Sequence, residues 1–312
     1  MNLGNCGRSK WMIYLILGAN GLIGQQFVRL CEERGINYVG TRYSREVNHL
    51  KTVNFLEPES LKAALDEASP QVVLNCVNLA GGVNFCEENP ELARKLHVDA
   101  TKVLADWCTQ KDAVFAYFST DYVFDGKNPP YKEDDETGPL NLYGQLKLEG
   151  ERYIQQKMEH YLIARTTNVY GWDPETPTPN FLMYLYQTLQ EGKTFNTPSF
   201  LFGNPTYAPD LAKAILELID KKHYGLFHVV GKGYINRYDW AIKFCELAGL
   251  DKEKIIEVKN PPGNMVPRPL LSNLNTEKVR PILETKLHDV DEGLQLLIEE
   301  MKKDLKEIST WQ

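Results

Sequence analysis

Cysteine is scarce. Cys6, Cys31, Cys76, Cys86, Cys108 and Cys245 are scattered over 312 residues, with no Cys-x-x-Cys pair and no metal-ligand spacing. That argues against a disulfide framework and a zinc site, and it fits buried thiols in a reducing compartment, the cytoplasm. Long apolar runs are missing too. Nothing approaches the roughly 20 residues a membrane-spanning helix needs, and the run before the first glycines is too short for a secretory signal. Met12 reads as a more natural start than Met1, with residues 1–11 as an extension. Positive charge is in deficit: 35 Lys and Arg face 42 Asp and Glu, a net charge of −7. A nucleic-acid binder would normally show a basic face, so neither nucleic acid nor membrane is an expected partner. The acids of "KEDDE" (132–136) read as a solvated loop face, and no metal is expected.

What is present is an ordinary globular composition, 43% apolar and 25% charged, in a chain long enough for a large core. The first half alternates β-rich runs with helical patterns. "MIYLIL", "INYVGT", the weaker "TVNF", "QVVLNCV" and "AVFAYFST" read as strands; "LIGQQFVRLCEERG", "PESLKAALDEA" and "NPELARKLHVDATKVLADWCTQ" read as helices. Strands without a polar face, separated by helices, predict βαβ units and a parallel sheet covered on both sides. The fold class is α/β: a doubly wound, Rossmann-type parallel sheet with a smaller C-terminal substrate-binding lobe. The change of character comes at "GWDPETPTPN" (171–180), with three prolines, followed by helical patterns at 180–191, 208–221, 237–248 and 287–306. The expected division is 12–170 for the sheet domain and 171–312 mainly for the lobe, with a return to the main sheet near 225–231.

"LILGANGLIGQQF" sets Gly18, Gly21 and Gly24 between the first strand and the first helix. Glycines there permit close backbone approach, and a helix N-terminus offers N–H groups and a positive dipole end to a pyrophosphate. The cofactor-binding candidates of this turn are Gly18, Asn20, Gly21, Leu22, Ile23 and Gly24. An acid at the end of the second strand would suit the ribose of NAD, and an arginine the 2′-phosphate of NADP. Here the residues are "GTRYSRE": Thr41, Arg42 and Arg45 precede any acid, which favours NADP(H) and leaves NAD(H) open.

The chemistry is expected around "STDYVFDGKNPPYKEDDETGPLNLYGQLKLEGE". Tyr143 and Lys147 are spaced i, i+4 near the start of a helix predicted over 142–157, with Asn141 as its N-cap, so both leave one face. Lys147 can hold a cofactor ribose and set positive charge beside Tyr143, whose ordinary pKa near ~10 would need about three units of help to ionise near neutrality. Thr120 ends a strand at the carboxyl edge, where ligands bind in open α/β sheets.

A glycine turn followed by a strand-end hydroxyl and Tyr-x-x-x-Lys resembles the extended short-chain dehydrogenase/reductases. "STDYVFDG", "ARTTNVYG", "FGNPTYAPDLAKAI" and "RPLLSNLNTEKV" narrow the resemblance to the dTDP-4-dehydrorhamnose reductases, over nearly the whole chain from Met12 to about residue 303. The resemblance implies Thr120, Tyr143 and Lys147 as the catalytic set, with Tyr143 and Lys147 also touching the cofactor. It further implies Asp121, Tyr122, Asn168 and Arg268 at a nucleotide-sugar site. Asn168 stands where many members carry an aromatic residue, and Gly81 and Gly82 replace bulkier ones in a loop that should border the substrate. The regulatory β subunit of methionine adenosyltransferase resembles the same "DYVFDG…PLNLYG" segment and keeps the tyrosine and lysine, so a non-catalytic role is the alternative. A homodimer is allowed for, but oligomeric state is not legible in the residues.

Overall fold

The computed structural model describes residues 12–43, 49–79, 81–174 and 178–309, with side chains of 307–309 left aside. The extension 1–11 and Arg45 lie outside the described residues.

The first half supplies β1 (Ile13–Leu17), α1 (Leu22–Arg34), β2 (Asn37–Arg42), β3 (Lys51–Thr52), α2 (Pro58–Ala68) and β4 (Val72–Asn75). It continues with α3 (Gly82–Glu88), α4 (Pro90–Arg94), α5 (Ala100–Lys111), β5 (Val114–Thr120), α6 (Leu142–Lys157) and β6 (Tyr161–Thr166). Local chemistry explains several boundaries. Gly35, at φ 64°, closes α1, and Pro58 sits in the first turn of α2, where its missing N–H costs nothing. The helix predicted as one piece from Asn89 is interrupted: Lys95–Asp99 forms a π-helical turn between α4 and α5. There the Ala100 N–H reaches back to the Lys95 carbonyl and the Thr101 hydroxyl takes that of His97, 2.9 Å away. A single wide turn hardly disturbs the apolar period, so the pattern could not reveal it.

After β7 (Val169–Tyr170) and α7 (Phe181–Gln190) come β8 (Phe195–Pro198), β9 (Phe202–Gly203), β10 (Thr206–Tyr207), α8 (Ala208–Asp220) and β11 (Gly225–His228). The chain ends with β12 (Ile235–Asn236), α9 (Arg237–Ala248), β13 (Ile255–Val258) and α10 (Val290–Ser309). Seven strands form one sheet in the order β11-β6-β5-β4-β1-β2-β3, every pair parallel. Alternate residues face opposite layers. Tyr14 and Ile16 join Phe27 of α1 and Leu211 and Ile215 of α8, whereas Leu15 and Leu17 join Leu61, Leu104 and Ile154 of α2, α5 and α6. The second half of the chain thus contributes one helix and one strand to the sheet body. Its remaining helices enclose a separate core around Trp172, Leu182, Trp240, Phe244 and Leu297. Glu133, from the loop expected to be solvated, instead folds onto the sheet edge and accepts from the His228 N–H at 2.9 Å.

Candidate functional site

Two turns at the carboxyl edge of the sheet require glycine for close approach. A Cβ on Gly24 would fall 2.2 Å from the Gly18 carbonyl oxygen, so only glycine lets α1 start that tightly on β1. A Cβ on Gly144 would fall 2.2 Å from the Tyr122 carbonyl oxygen, so the glycine after Tyr143 lets α6 close onto the turn that follows β5. Asn141 caps α6 by accepting from the Gly144 N–H at 2.9 Å, and its amide donates to the Pro267 carbonyl of the lobe.

These contacts bring Thr120, Tyr143 and Lys147 to one cavity of about 510 Å³. Ile23 of the glycine turn lines it, as do Asp121, Tyr122 and Asn168. Thr120 caps a short 3-10 turn, accepting from the Tyr122 N–H at 3.2 Å and donating to Asp121 Oδ1 at 3.0 Å. Lys147 is 5% exposed, with Nζ 4.3 Å from the Tyr117 ring centroid. Burial pushes its ammonium down to about 8, against the opposing pull of Glu151. Tyr143 is pushed above the ordinary tyrosine range, first by burial and then by the Asp121 charge, while hydrogen bonding to Thr120 works the other way. Without a bound cofactor the site therefore holds Tyr143 as a neutral phenol, the protonation state a proton donor needs.

Glu151 lies two turns along α6 from Tyr143 and is 1% exposed. It accepts from Arg165 of β6 through Nε at 3.0 Å and Nη2 at 2.7 Å, and the Ser119 hydroxyl also donates to it. This buried pair ties α6 to β5 and β6 directly beneath the site. On the other side of Tyr143 stands His97, edge to face with ring centroids 5.5 Å apart. Burial, then the Lys147 charge, lowers His97 to about 3, so it is a neutral packing partner.

The remaining expected positions are placed unevenly. Thr41 is buried in β2, its hydroxyl donating to the Ile16 carbonyl at 3.3 Å, so it is turned into the sheet. The Ala19 N–H donates to the Thr41 carbonyl at 2.8 Å, which sets Arg42 and the end of β2 next to the glycine turn. The Asn20 carbonyl accepts from Gln25, and Leu22 packs towards Gly171. Arg268 donates to Asn84 Oδ1 at 2.9 Å and lies within hydrogen-bonding reach of Tyr122. Asn168, at φ 47°, accepts from Arg237 at 3.2 Å. Gly82, at φ 59°, and Val83 line the cavity from the first turn of α3.

Sequence reasoning missed the lobe's wall of the cavity, Phe181, Tyr184 and Arg237. The Arg237 guanidinium lies 5.2 Å from the Phe181 ring centroid. Asn236, which caps α9 by accepting from the Asp239 N–H, signals where Arg237 stands on its helix but not which cleft it faces. Glu151 was passed over as well, although its i, i+8 spacing from Tyr143 puts it on the same helix face.

The residues present fit a dinucleotide: the tight turn, the start of α1 with no side-chain cap at Gly21, and the buried hydroxyl and ammonium beyond it. Architecture and site together are those of an NAD(P)-dependent oxidoreductase of the extended short-chain dehydrogenase/reductase class. Within it, the chain belongs to the RmlD substrate binding domain family, whose profile matches residues 12–303. It is similar to methionine adenosyltransferase 2 subunit beta of Xenopus tropicalis, 30% identical over 274 residues, covering 86% of this chain and 81% of that protein. It is also similar to a probable low-salt glycan biosynthesis reductase of Haloferax volcanii, 34% identical over 245 residues, covering 77% and 81%. The crystal structure of a dTDP-4-dehydrorhamnose reductase from Clostridium acetobutylicum superposes with a TM-score of 0.80 at 28% identity, covering 93% of this chain and all of that one. Among the described residues, no helix is long and apolar enough to cross a membrane.

Proposed function

We propose that the chain is an NADPH-dependent reductase of a nucleotide-linked 4-keto-6-deoxyhexose, of the dTDP-4-dehydrorhamnose reductase type. The observation that carries this reading is the one cavity on which Thr120, Tyr143 and Lys147 open from the sheet body, with Asn168 after β6 and Arg237 of the lobe opposite. The reduced nicotinamide, when bound, supplies the hydride. Gly18, Gly21 and Gly24 anchor the pyrophosphate, Arg42 favours a 2′-phosphate, and NAD(H) remains the second choice. Tyr143 gives its phenolic proton to the sugar oxygen as that oxygen becomes an alkoxide. Lys147 sets positive charge beside the new phenolate, and Thr120 orients the oxygen. Arg237 and Arg268 flank Tyr122 and provide positive charge for the diphosphate. The free thiols of Cys31, Cys76, Cys86, Cys108 and Cys245 suit a cytoplasmic setting.

A second reading, a non-catalytic NADP-binding regulatory subunit, is supported by the likeness to methionine adenosyltransferase 2 subunit beta across 86% of the chain. One experiment separates the two. The purified chain, given NADPH and dTDP- or UDP-4-keto-6-deoxyglucose, with an epimerase added where the sugar requires one, should consume NADPH. No turnover on either sugar, together with a stable complex with a methionine adenosyltransferase catalytic subunit, would replace the reductase reading with the regulatory one.

A further inference from the structure

Asp121 follows the strand-end threonine and is buried at the wall of the cavity. It is 3% exposed, accepts from Thr120 on Oδ1 at 3.0 Å, and takes the Ser272 hydroxyl on Oδ2. Thr167 lies within hydrogen-bonding reach of the same carboxylate. Ser272 belongs to the segment that returns from the lobe, and that segment is pinned on both sides. Its backbone exchanges hydrogen bonds with Phe202 of β9: the Phe202 N–H to the Leu270 carbonyl at 2.8 Å, and the Ser272 N–H to the Phe202 carbonyl at 3.2 Å. On the other side, the Tyr131 N–H donates to the Asn273 carbonyl and the Asn275 N–H to the Tyr131 carbonyl, at 2.8 and 2.7 Å. The Asn204 side chain adds a third tie, accepting from the Leu274 N–H at 2.9 Å.

A buried carboxylate is tolerated only when its oxygens are satisfied, and it then holds whatever donates to it. We infer that Ser272 and Asp121 form a positioning relay, through which the lobe's return segment fixes the Thr120 hydroxyl facing Tyr143. Neither residue needs to touch the reacting atoms. Ser272 fixes the carboxylate, and the carboxylate holds the Thr120 side chain in one rotamer while its oxygen accepts from the Tyr122 N–H; from that fixed position the Thr120 proton can turn from Asp121 to a sugar oxygen beside Tyr143. Asp121 thus belongs to the support of the site more than to its substrate-facing surface. The lobe that closes the cavity also sets the geometry of the group opposite.

The kinetic side of this inference rests on the reductase reading, so the test carries a second readout that does not. In Ser272→Ala, kcat should fall roughly 10- to 100-fold while KM for NADPH stays within about twofold, the pattern of a misplaced catalytic group. Amide hydrogen exchange at Tyr122, whose N–H is held by Thr120, should quicken at least about tenfold. Ser272→Thr keeps the hydroxyl and should restore both. Asn204→Ala removes the tie at Leu274 but leaves the Ser272 hydroxyl on Asp121 and its backbone on Phe202, so it should lower the melting temperature with a far smaller fall in kcat than Ser272→Ala. Should the alanine variant not fold, Ser272→Cys, similar in volume but a weak donor, is read the same way. A wild-type kcat in Ser272→Ala, or Tyr122 exchange that does not change, overturns the relay. If the wild-type chain reduces no nucleotide sugar, the reductase reading falls instead, and Tyr122 exchange alone decides the relay.

Discussion

The two walls of the cavity are built differently. The sheet-side wall carries Thr120 and Lys147, each 5% exposed, on consecutive elements of one βαβ unit. The lobe-side wall carries Tyr184, 58% exposed, with Phe181 and Arg237 drawn from helices more than 50 residues apart in sequence. The first wall is buried and desolvated, conditions under which a proton donor and a fixed charge act strongly. The second is open and charged, conditions under which a variable ligand can be gripped and released. Under the proposed function, the closed side would carry the chemistry and the open side the selection.

That division can be broken most forcefully at Tyr143. Tyr143→Phe removes the proton donor and should lower kcat by about 10³- to 10⁴-fold while leaving NADPH binding, read by fluorescence titration, nearly unchanged. A loss of cofactor affinity of the same size would mean that the sheet-side wall is a binding surface first.

Beneath that wall, Glu151→Ala strands the Arg165 guanidinium in a buried site. It should cost about 3–5 kcal/mol in urea unfolding, as expected when one partner of a buried ion pair is removed. The exposed pair Lys62–Glu59, treated the same way, should cost no more than ~0.5 kcal/mol.

Lys147 sharpens the comparison through pH. Its ammonium is held at about 8 in the free protein, so the charge is present below that pH and lost as pH rises through it. kcat/KM should therefore fall on an alkaline limb near pH 8, and Lys147→Met, at a cost of roughly 10²-fold in rate, should abolish that limb.

The smallest effect is expected on the open wall. Arg237→Ala should raise KM for the nucleotide sugar about tenfold, the loss of one charge-assisted contact, with kcat and NADPH affinity held. A fall in kcat with unchanged KM would place Arg237 with the chemistry instead.

How far the residues alone reach differs along the chain. The i, i+4 spacing of Tyr143 and Lys147, the Asn141 cap and the span of α6 could be read directly, because helix periodicity and capping are local. The parallel sheet followed from the apolar strands of the first half, with a return to it expected near 225–231, yet the place of α8 beside α1 did not. A helix with a strong apolar face declares that it will be buried, not against what. The same limit hid the wide turn at Lys95–Asp99 and the inward rotation of the Thr41 hydroxyl. Tyr143 also departs from the sequence-based picture. Burial, not a neighbouring ammonium, dominates its proton affinity, and burial belongs to the packed chain.

The sequence by itself determined the parallel α/β body, the glycine turn at its first strand and the spacing of the tyrosine and lysine, since each is announced by a pattern that repeats within a few residues. Tertiary structure alone decided which residues oppose them. Arg237 faces Tyr122, Ser272 holds Asp121 and Arg165 neutralises Glu151 because distant segments are brought together by packing. No local period encodes such a meeting. Its free energy appears only when the whole core has closed and water has left the site.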